Sequence, residues 1–452
     1  VDDEAAIAIV DATSRDGRTT PYLVALDRVD ENAELPPAVL RTVFARSRTA
    51  ARESFVFDPT AGDRFWIRVF EFIRSGRRIE EQAGAFSFVP TWALETIAVG
   101  EPPLVRGMPA ERVTGAVIDN AIFIKLYRRL EAGLHPEIEL AKHLQEVGFA
   151  HVPPLLGSIT YEPAHGESIE LGIAYRFIES RGTGWEITLA FLRRLLDRRR
   201  KAAQPSEHGD ADEFDAFVRY ARILGRRTAE FHRAVAERPD DPAFSVGRCD
   251  NRNASAIVAA TRETAVQALA ALDSTDDGTR LRRRKRDLMT RIAQLGKSLA
   301  GLPTARLHGS YTLDEVLAVA HDFVIIGLDG DAARPLAERR MKRSQIVDVA
   351  TMLASFDAAA SEVAAHLGAD PTELTEHFTP TLDHWRRRAR EALLAGYEAS
   401  MGTPILNDAL TFFRLDCALA DLVAGSPRRT SSKEASIHTV AAIVDGASAR
   451  DS

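Results

Sequence analysis

From about residue 185 onward the chain reads almost wholly as amphipathic helices, and one stretch interrupts them. Residues 304–343 read TARLHGSYTLDEVLAVAHDFVIIGLDGDAARPLAERRMKR. They hold two short apolar runs, 315–319 and 322–326, whose flanking Gly, Ser and Asp residues mark them as strands. His308-Gly309-Ser310 precedes the first run and Gly327-Leu328-Asp329-Gly330-Asp331 follows the second. A strand pair set among helices, with polar groups converging at its ends, is a common way to build a phosphoryl-transfer site.

The first half of the chain is organised differently. Residues 4–12 and 20–28 read as strands joined by Ser14-Arg15-Asp16-Gly17-Arg18, and an Asp-Gly pair between apolar runs signals a hairpin. Phe65, Trp66, Val69, Phe70 and Ile73 fall on one face of a helix over 63–74. Residues 1–90 are therefore expected to form a small α+β cap. Strands follow at 112–118 and 120–127, then a helix over 136–147 opened by His135-Pro136, where proline suits the first turn. Further strands fall at 155–161 and 169–177. Strand, strand, helix, strand, strand is the order of the smaller lobe of kinase-like folds, here expected over 91–184. Residues 185–452 make the mainly helical lobe, with the hairpin region 304–331 at its centre. Its helices are predicted at 187–200, 215–236, 345–366, 371–401 and 407–423, with a helical hairpin over 252–300 broken near 273–278 and a polar loop over 201–212.

At 452 residues, 45% apolar and 27% charged, the chain is long enough for two or three domains with sizeable cores. A net charge of −7 gives no nucleic-acid footprint. Cys249 and Cys417 are the only cysteines, which argues against a disulfide scaffold or a cysteine zinc site and suits a reducing cytosol. There is no apolar run of about 20 residues, and Val1-Asp2-Asp3-Glu4 is not a signal peptide. A cytoplasmic protein without membrane contact is expected.

Several longer runs resemble the bacterial maltokinase family, including the maltokinase domain found fused to trehalose synthase. They are 322–326, 333–340, Lys342-Arg343-Ser344, Asp348-Val349-Ala350 and Ser355-Phe356. Residues 123–130, 136–139, 151–157 and 225–232 match as well, and 22–26 with Phe57-Asp58 fit that family's cap. The resemblance implies an α+β, bilobal protein-kinase-like (aminoglycoside phosphotransferase-like) fold. It also implies ATP with Mg2+ as cofactors and a sugar as phosphoryl acceptor.

Phosphoryl transfer asks for a lysine on the nucleotide phosphates, its acidic partner, a base and metal ligands. Lys125 lies in an apolar strand, where lysine is unusual, and matches the family's ATP-contacting lysine. Glu137 and Glu139 open the next helix, and either could pair with it. The family's catalytic run is His-Gly-Asp-Tyr-His-Leu-Gly-Gln; here it is His308-Gly309-Ser310-Tyr311-Thr312-Leu313-Asp314-Glu315. Ser310 stands where the family's basic aspartate is, and a hydroxyl is no base near neutral pH without one of its own. Glu315 replaces the glutamine and can still offer a metal an oxygen. After the second strand the family has Asp-Phe-Glu-Gly-Glu-Pro; Gly327 replaces the metal-holding aspartate, leaving Asp329 two residues on, or Asp331.

The phosphate-covering segment keeps only Glu111 and a small-residue turn, the Gly-Asp-Gly-Trp element becomes Gly182-Thr183-Gly184-Trp185, and residues 424–432 lack the aromatics of the sugar-binding segment. With the base, a metal ligand and both binding segments changed together, the expected function is a maltokinase-like pseudokinase. It would act as a binding or regulatory partner of trehalose synthase or another α-glucan enzyme. The alternative is an active ATP-dependent sugar kinase, with maltose or a related acceptor, in which Glu315, Asp329 and Asp331 hold metal and Asp314 or another carboxylate is the base.

Overall fold

The computed structural model describes residues 6–30, 33, 37–48, 53–101, 103–109, 113–201, 210–272, 275–367, 378–424 and 432–450. The chain divides into two compact units, Val1–Glu179 and Ser180–Ser452.

The first unit carries two antiparallel sheets. In the four-stranded one, β1 (Ala6–Thr13), β2 (Thr19–Asp30), β3 (Val43–Arg48) and β4 (Glu53–Phe57) lie in the order β1-β2-β4-β3. The β1–β2 turn closes through Gly17 N–H donating to the Ser14 carbonyl at 2.9 Å, with Gly17 at a φ of +81° that glycine adopts without steric cost. The seven-stranded sheet takes β5 (Arg78–Glu81), β6 (Gly84–Pro90), β7 (Val105–Pro109), β8 (Val113–Ile118), β9 (Ile122–Tyr127), β10 (Leu155–Pro163) and β11 (Ile169–Arg176) in the order β5-β6-β10-β11-β9-β8-β7. It runs straight across residue 90, because β6 pairs with β10 from Gly84 to Pro90.

Helix Asp63–Arg74 forms where the periodicity places it and buries Phe65, Trp66, Val69, Phe70, Phe72 and Ile73. The sheet makes room for it at Gly157, where a Cβ would lie 2.5 Å from Ile73 Cγ2. Ile122, Ile124, Leu126, Leu171 and Ile173 are fully buried in the adjacent strands β9 and β11. Each such side chain contributes about 1.5–3 kcal/mol of burial. The centre of this sheet is therefore a rigid seat for any polar group built into it.

The second unit is helical around one small hairpin. Helices Asp210–Val235 and Thr379–Met401 cross at two glycines. A Cβ at Gly225 would meet the Leu393 carbonyl oxygen at 2.0 Å, and one at Gly396 the Arg222 carbonyl oxygen at 2.1 Å. Phe217, Trp385 and Phe356 pack edge to face beside this crossing, with Phe217 and Trp385 ring centroids 5.1 Å apart. Short strands β12 (Gly247–Arg248) and β13 (Pro303–Thr304) pair with each other. β14 (Val316–Val319) and β15 (Asp322–Ile325) form the expected hairpin. Glu315 belongs not to the strand but to the 3-10 turn Leu313–Glu315 that leads into it.

Several helix limits differ from the sequence reading; the helix expected from 187 begins at Gly184. The long helix begins at Asp210 rather than 215. The break expected over 273–278 ends sooner, because Thr275 Oγ1 accepts the Gly278 N–H at 3.3 Å and caps a helix over Asp276–Arg283. Helix Lys433–Val444 was not anticipated. The rest of the polar loop (202–209), the start of the helix expected from 371, Glu111, and most of the sugar-binding segment (425–431) lie outside the described residues. Among the described residues no helix is long and apolar enough to cross a membrane.

Candidate functional site

Lys125 sits mid-strand in β9 and is only 8% exposed. Its Nζ lies 2.9 Å from Glu137 Oε2. Glu137 is placed by helix Pro136–Glu146, whose first turn is set by Pro136 and by the His135 ring, with Nδ1 accepting the Glu137 N–H at 3.3 Å. The Tyr127 hydroxyl also donates to Glu137 Oε2, at 2.7 Å, and Tyr175 donates to Oε1 at 3.4 Å. Tyr127 in turn stacks on His135 with ring centroids 4.1 Å apart. A buried charge survives only when paired and hydrogen-bonded, and this carboxylate has both kinds of support. Of the two acids expected to face Lys125, Glu137 makes this contact, and Glu139 is buried in the same turn.

The second group of predicted residues lies at the polar end of the β14–β15 hairpin. His308 is 1% exposed. Its Nε2 lies 2.7 Å from the Ile326 carbonyl, which can only accept, so Nε2 carries the hydrogen. Nδ1 then accepts the Ser310 N–H at 3.4 Å. Burial holds the ring well below the usual imidazole range, against the pull of Asp348, so it stays neutral. With both nitrogens tied to backbone, His308 fixes the loop rather than offering a proton. Ser310 itself is half-buried.

Beneath the loop sits Asp348, in the first turn of helix Ile346–Ala365 and 1% exposed. Its carboxylate accepts the His308 N–H at 2.8 Å, the Gly309 N–H at 2.9 Å and His232 Nε2 at 3.1 Å. His232 Nδ1 lies 2.9 Å from the Tyr397 hydroxyl. Burial pushes the Asp348 carboxyl up, but the His232 hydrogen bond, the neighbouring imidazoles and the Gly309 N–H outweigh it and hold the group below the usual range. Neither Asp348 nor His232 was singled out as a site residue. The available signal was a lone carboxylate inside the apolar run Ile346-Val347-Asp348-Val349-Ala350.

The remaining carboxylates separate by role. Asp331 caps its own turn, accepting the Ala333 N–H at 3.2 Å, and lies 3.7 Å from Arg334. Asp329 is half-buried beside the loop, where Gly330 packs on Gly309, and its charge is felt at His308. Asp314 Oδ1 accepts the Thr183 hydroxyl at 3.2 Å. Glu315 reaches across to Gly327, so closely that a Cβ built on that glycine would fall 1.8 Å from Oε2.

No family model matches the chain. It is 27% identical over 314 residues to a glucosamine kinase of Mycolicibacterium smegmatis, covering 69% of this chain and 70% of that one. It is 23% identical over 301 residues to a glucosamine kinase of Streptacidiphilus jiangxiensis, covering 66% of this chain and 62% of the relative. Among solved structures, a glucosamine kinase in complex with glucosamine, ADP and inorganic phosphate superimposes with a TM-score of 0.67 at 18% identity, over 98% of this chain and 91% of that one. The chain thus has an α+β, kinase-like fold. The likeness found is to glucosamine kinases, and the expected membership of the maltokinase family is not shown.

Proposed function

We propose that the chain is a slow ATP-dependent sugar kinase, with glucosamine as the first acceptor to test and maltose as the second. The observation that carries this reading is the buried Lys125–Glu137 pair at 2.9 Å. Kinases use such a strand lysine, held by a helix glutamate, on the nucleotide phosphates. A pair kept only for stability would be a poor choice, since burying two charges costs about as much as their attraction returns.

The fold implies a divalent cation with the nucleotide. Among the described residues, no three His, Cys, Asp or Glu side chains converge as a metal-binding group. That suits Mg2+, which takes one or two carboxylates and completes its shell with phosphate and water. Glu315 and Asp329 are the oxygen donors that fit, and bound Mg2+ would neutralise charge on the transferred phosphoryl group. Lys125 binds phosphate, Asp348 and His308 hold the 308–310 backbone, and Ser310 offers the acceptor a hydrogen bond but takes no proton at neutral pH.

A missing base slows this chemistry without forbidding it, because a loose transition state asks little nucleophilic push from the acceptor hydroxyl. General-base assistance is worth about 10²–10⁴-fold. One specific pair of residues favours a second reading, a nucleotide-binding pseudokinase that partners an α-glucan enzyme such as trehalose synthase: Ser310 and Gly327 both lack the carboxylate that fast transfer would use. Incubation with ATP, Mg2+ and each sugar, followed by mass spectrometry of the sugar phosphate, separates the two. The kinase reading expects a sugar phosphate with wild type and none with Lys125→Met. Nucleotide binding with no transfer to glucosamine, maltose or any other hexose would leave the pseudokinase.

A further inference from the structure

Four strands end the two sheets of the first unit, and three of them carry guards. β3 holds Arg46 and Arg48, β5 holds Arg78, Glu80 and Glu81, and β7 holds Arg106 and Pro109. Charges and proline on an edge keep a sheet from pairing with another chain. β1 is the exception. It reads Ala-Ile-Ala-Ile-Val-Asp-Ala-Thr over 8 residues, with Asp11 its one charge and no proline. All of it pairs with β2, and among the described residues nothing pairs with its other side. The direction of the outer backbone groups follows from β2. Leu23 N–H donates to the Arg128 carbonyl and the Pro21 carbonyl accepts the Leu130 N–H, both at 2.9 Å, so residues 21 and 23 face away from β1. Their partners Asp11 and Ile9 therefore turn their own N–H and C=O outward, and Ile7 and Thr13 follow by alternation. Beside this edge the cross-strand pair Val10 and Tyr22 is 45% and 39% exposed.

We propose that β1 pairs antiparallel with β1 of a second copy of this chain, joining two four-stranded sheets into one about a twofold axis. The copy is the occupant because the edge is complementary to itself. The sequence before β1 is acidic, Asp2-Asp3-Glu4, and the turn after it carries Arg15 and Arg18, both exposed. An antiparallel copy sets opposite signs side by side, whereas a parallel one would set like signs together. Outward-facing residues must meet outward-facing residues, so odd numbers face odd. The register centred on Ala8 satisfies this, sets Ile7 against Ile9 and Ala6 against Val10, and keeps the two Asp11 carboxylates apart. Centring on Val10 or Asp11 would bring those carboxylates together, and like charges across a strand pair repel. The contact is isologous and closes, so it ends at a dimer. It goes beyond the kinase reading and does not depend on it.

Sedimentation velocity of the full chain over a concentration series tests this. Wild type is expected to reach twice the mass of one chain as concentration rises. Ala8→Lys sets two ammonium groups face to face at the axis and should leave only monomer where wild type is dimeric, and Ala8→Glu should do the same with two carboxylates. Mixing the two variants should restore the dimer, a rescue that damage to the fold would not give. Ala8→Cys, oxidised with diamide, should cross-link two chains, because directly opposed residues bring their Cβ atoms to about 4.5 Å, within reach of a disulfide. Val10→Cys, opposite Ala6, and wild type should not cross-link. A wild type that stays monomeric at every concentration would overturn the inference. So would a dimer that survives Ala8→Lys, or one that Val10→Cys cross-links as readily as Ala8→Cys. If Ala8→Lys does not fold, the two cysteine variants decide alone.

Discussion

Replacing Asp348 tests whether the loop that presents Ser310 is held from below. The carboxylate is 1% exposed and receives three donors, at 2.8, 2.9 and 3.1 Å. In Asp348→Ala all three lose their acceptor. A buried polar group left unsatisfied costs about 1–3 kcal/mol. Gly309 is half-buried and can recruit water, so we expect a loss near ~3–5 kcal/mol in total, from two fully orphaned donors and one partly relieved. Asp348→Asn keeps one acceptor oxygen but turns an NH2 towards a donor, and should lose about half as much. Urea unfolding followed by circular dichroism gives both values.

The pH dependence follows from the depressed carboxyl. Its folded-state pKa lies below the ordinary carboxylate value, so as the pH falls the unfolded chain binds the proton first. The stabilisation is complete above pH ~4 and is lost as pH falls through the lower folded value. The gap between wild type and Asp348→Asn should therefore be constant at neutral pH and shrink in acid. Hydrogen exchange at the 308 and 309 amides should quicken in either variant. A stability change under ~0.5 kcal/mol at pH 7, the range of an ordinary surface substitution, or an equal acid slope in both proteins, would refute the reasoning.

Three further outcomes are expected. Ser310→Asp should raise the rate of sugar phosphorylation by about 10²-fold or more at pH 7, measured as kcat with saturating ATP; an unchanged rate would mean that the base position is not 310. Gly225→Ala should cost about 3 kcal/mol or more, read from thermal unfolding, because its Cβ would lie 2.0 Å from a helix carbonyl that cannot turn away. Lys125→Met should abolish nucleotide binding by calorimetry and also lower stability by about 3–5 kcal/mol, and Glu137→Gln in that background should restore part of the stability but none of the binding.

How far the sequence could be read depended on whether the physical cause was local. Helix Asp63–Arg74 and the strands around Lys125 follow from side-chain periodicity, which a short window contains in full. Lys125 itself was legible because a charge within an apolar strand is anomalous on its own terms. Strands β3 to β7 were mostly missed, since β3, β5 and β7 lie at sheet edges and exposed residues such as Phe44 in β3 and Val89 in the interior strand β6 break any clean alternation. At the site, His308 was legible as a member of a motif but its role was not. That role depends on the Ile326 carbonyl, 18 residues away, and on a carboxylate at position 348.

Positions 315 and 327 show the same limit more sharply. Taken one at a time, a lost aspartate at 327 and a gained charge at 315 look like two independent departures, and counting departures argues for lost catalysis. The hairpin places the two positions against each other, so neither can be weighed without the other. The same holds for Thr183 and Asp314 across 131 residues. The kinase reading stands ahead of the pseudokinase because the buried Lys125–Glu137 pair that such chemistry uses is in place.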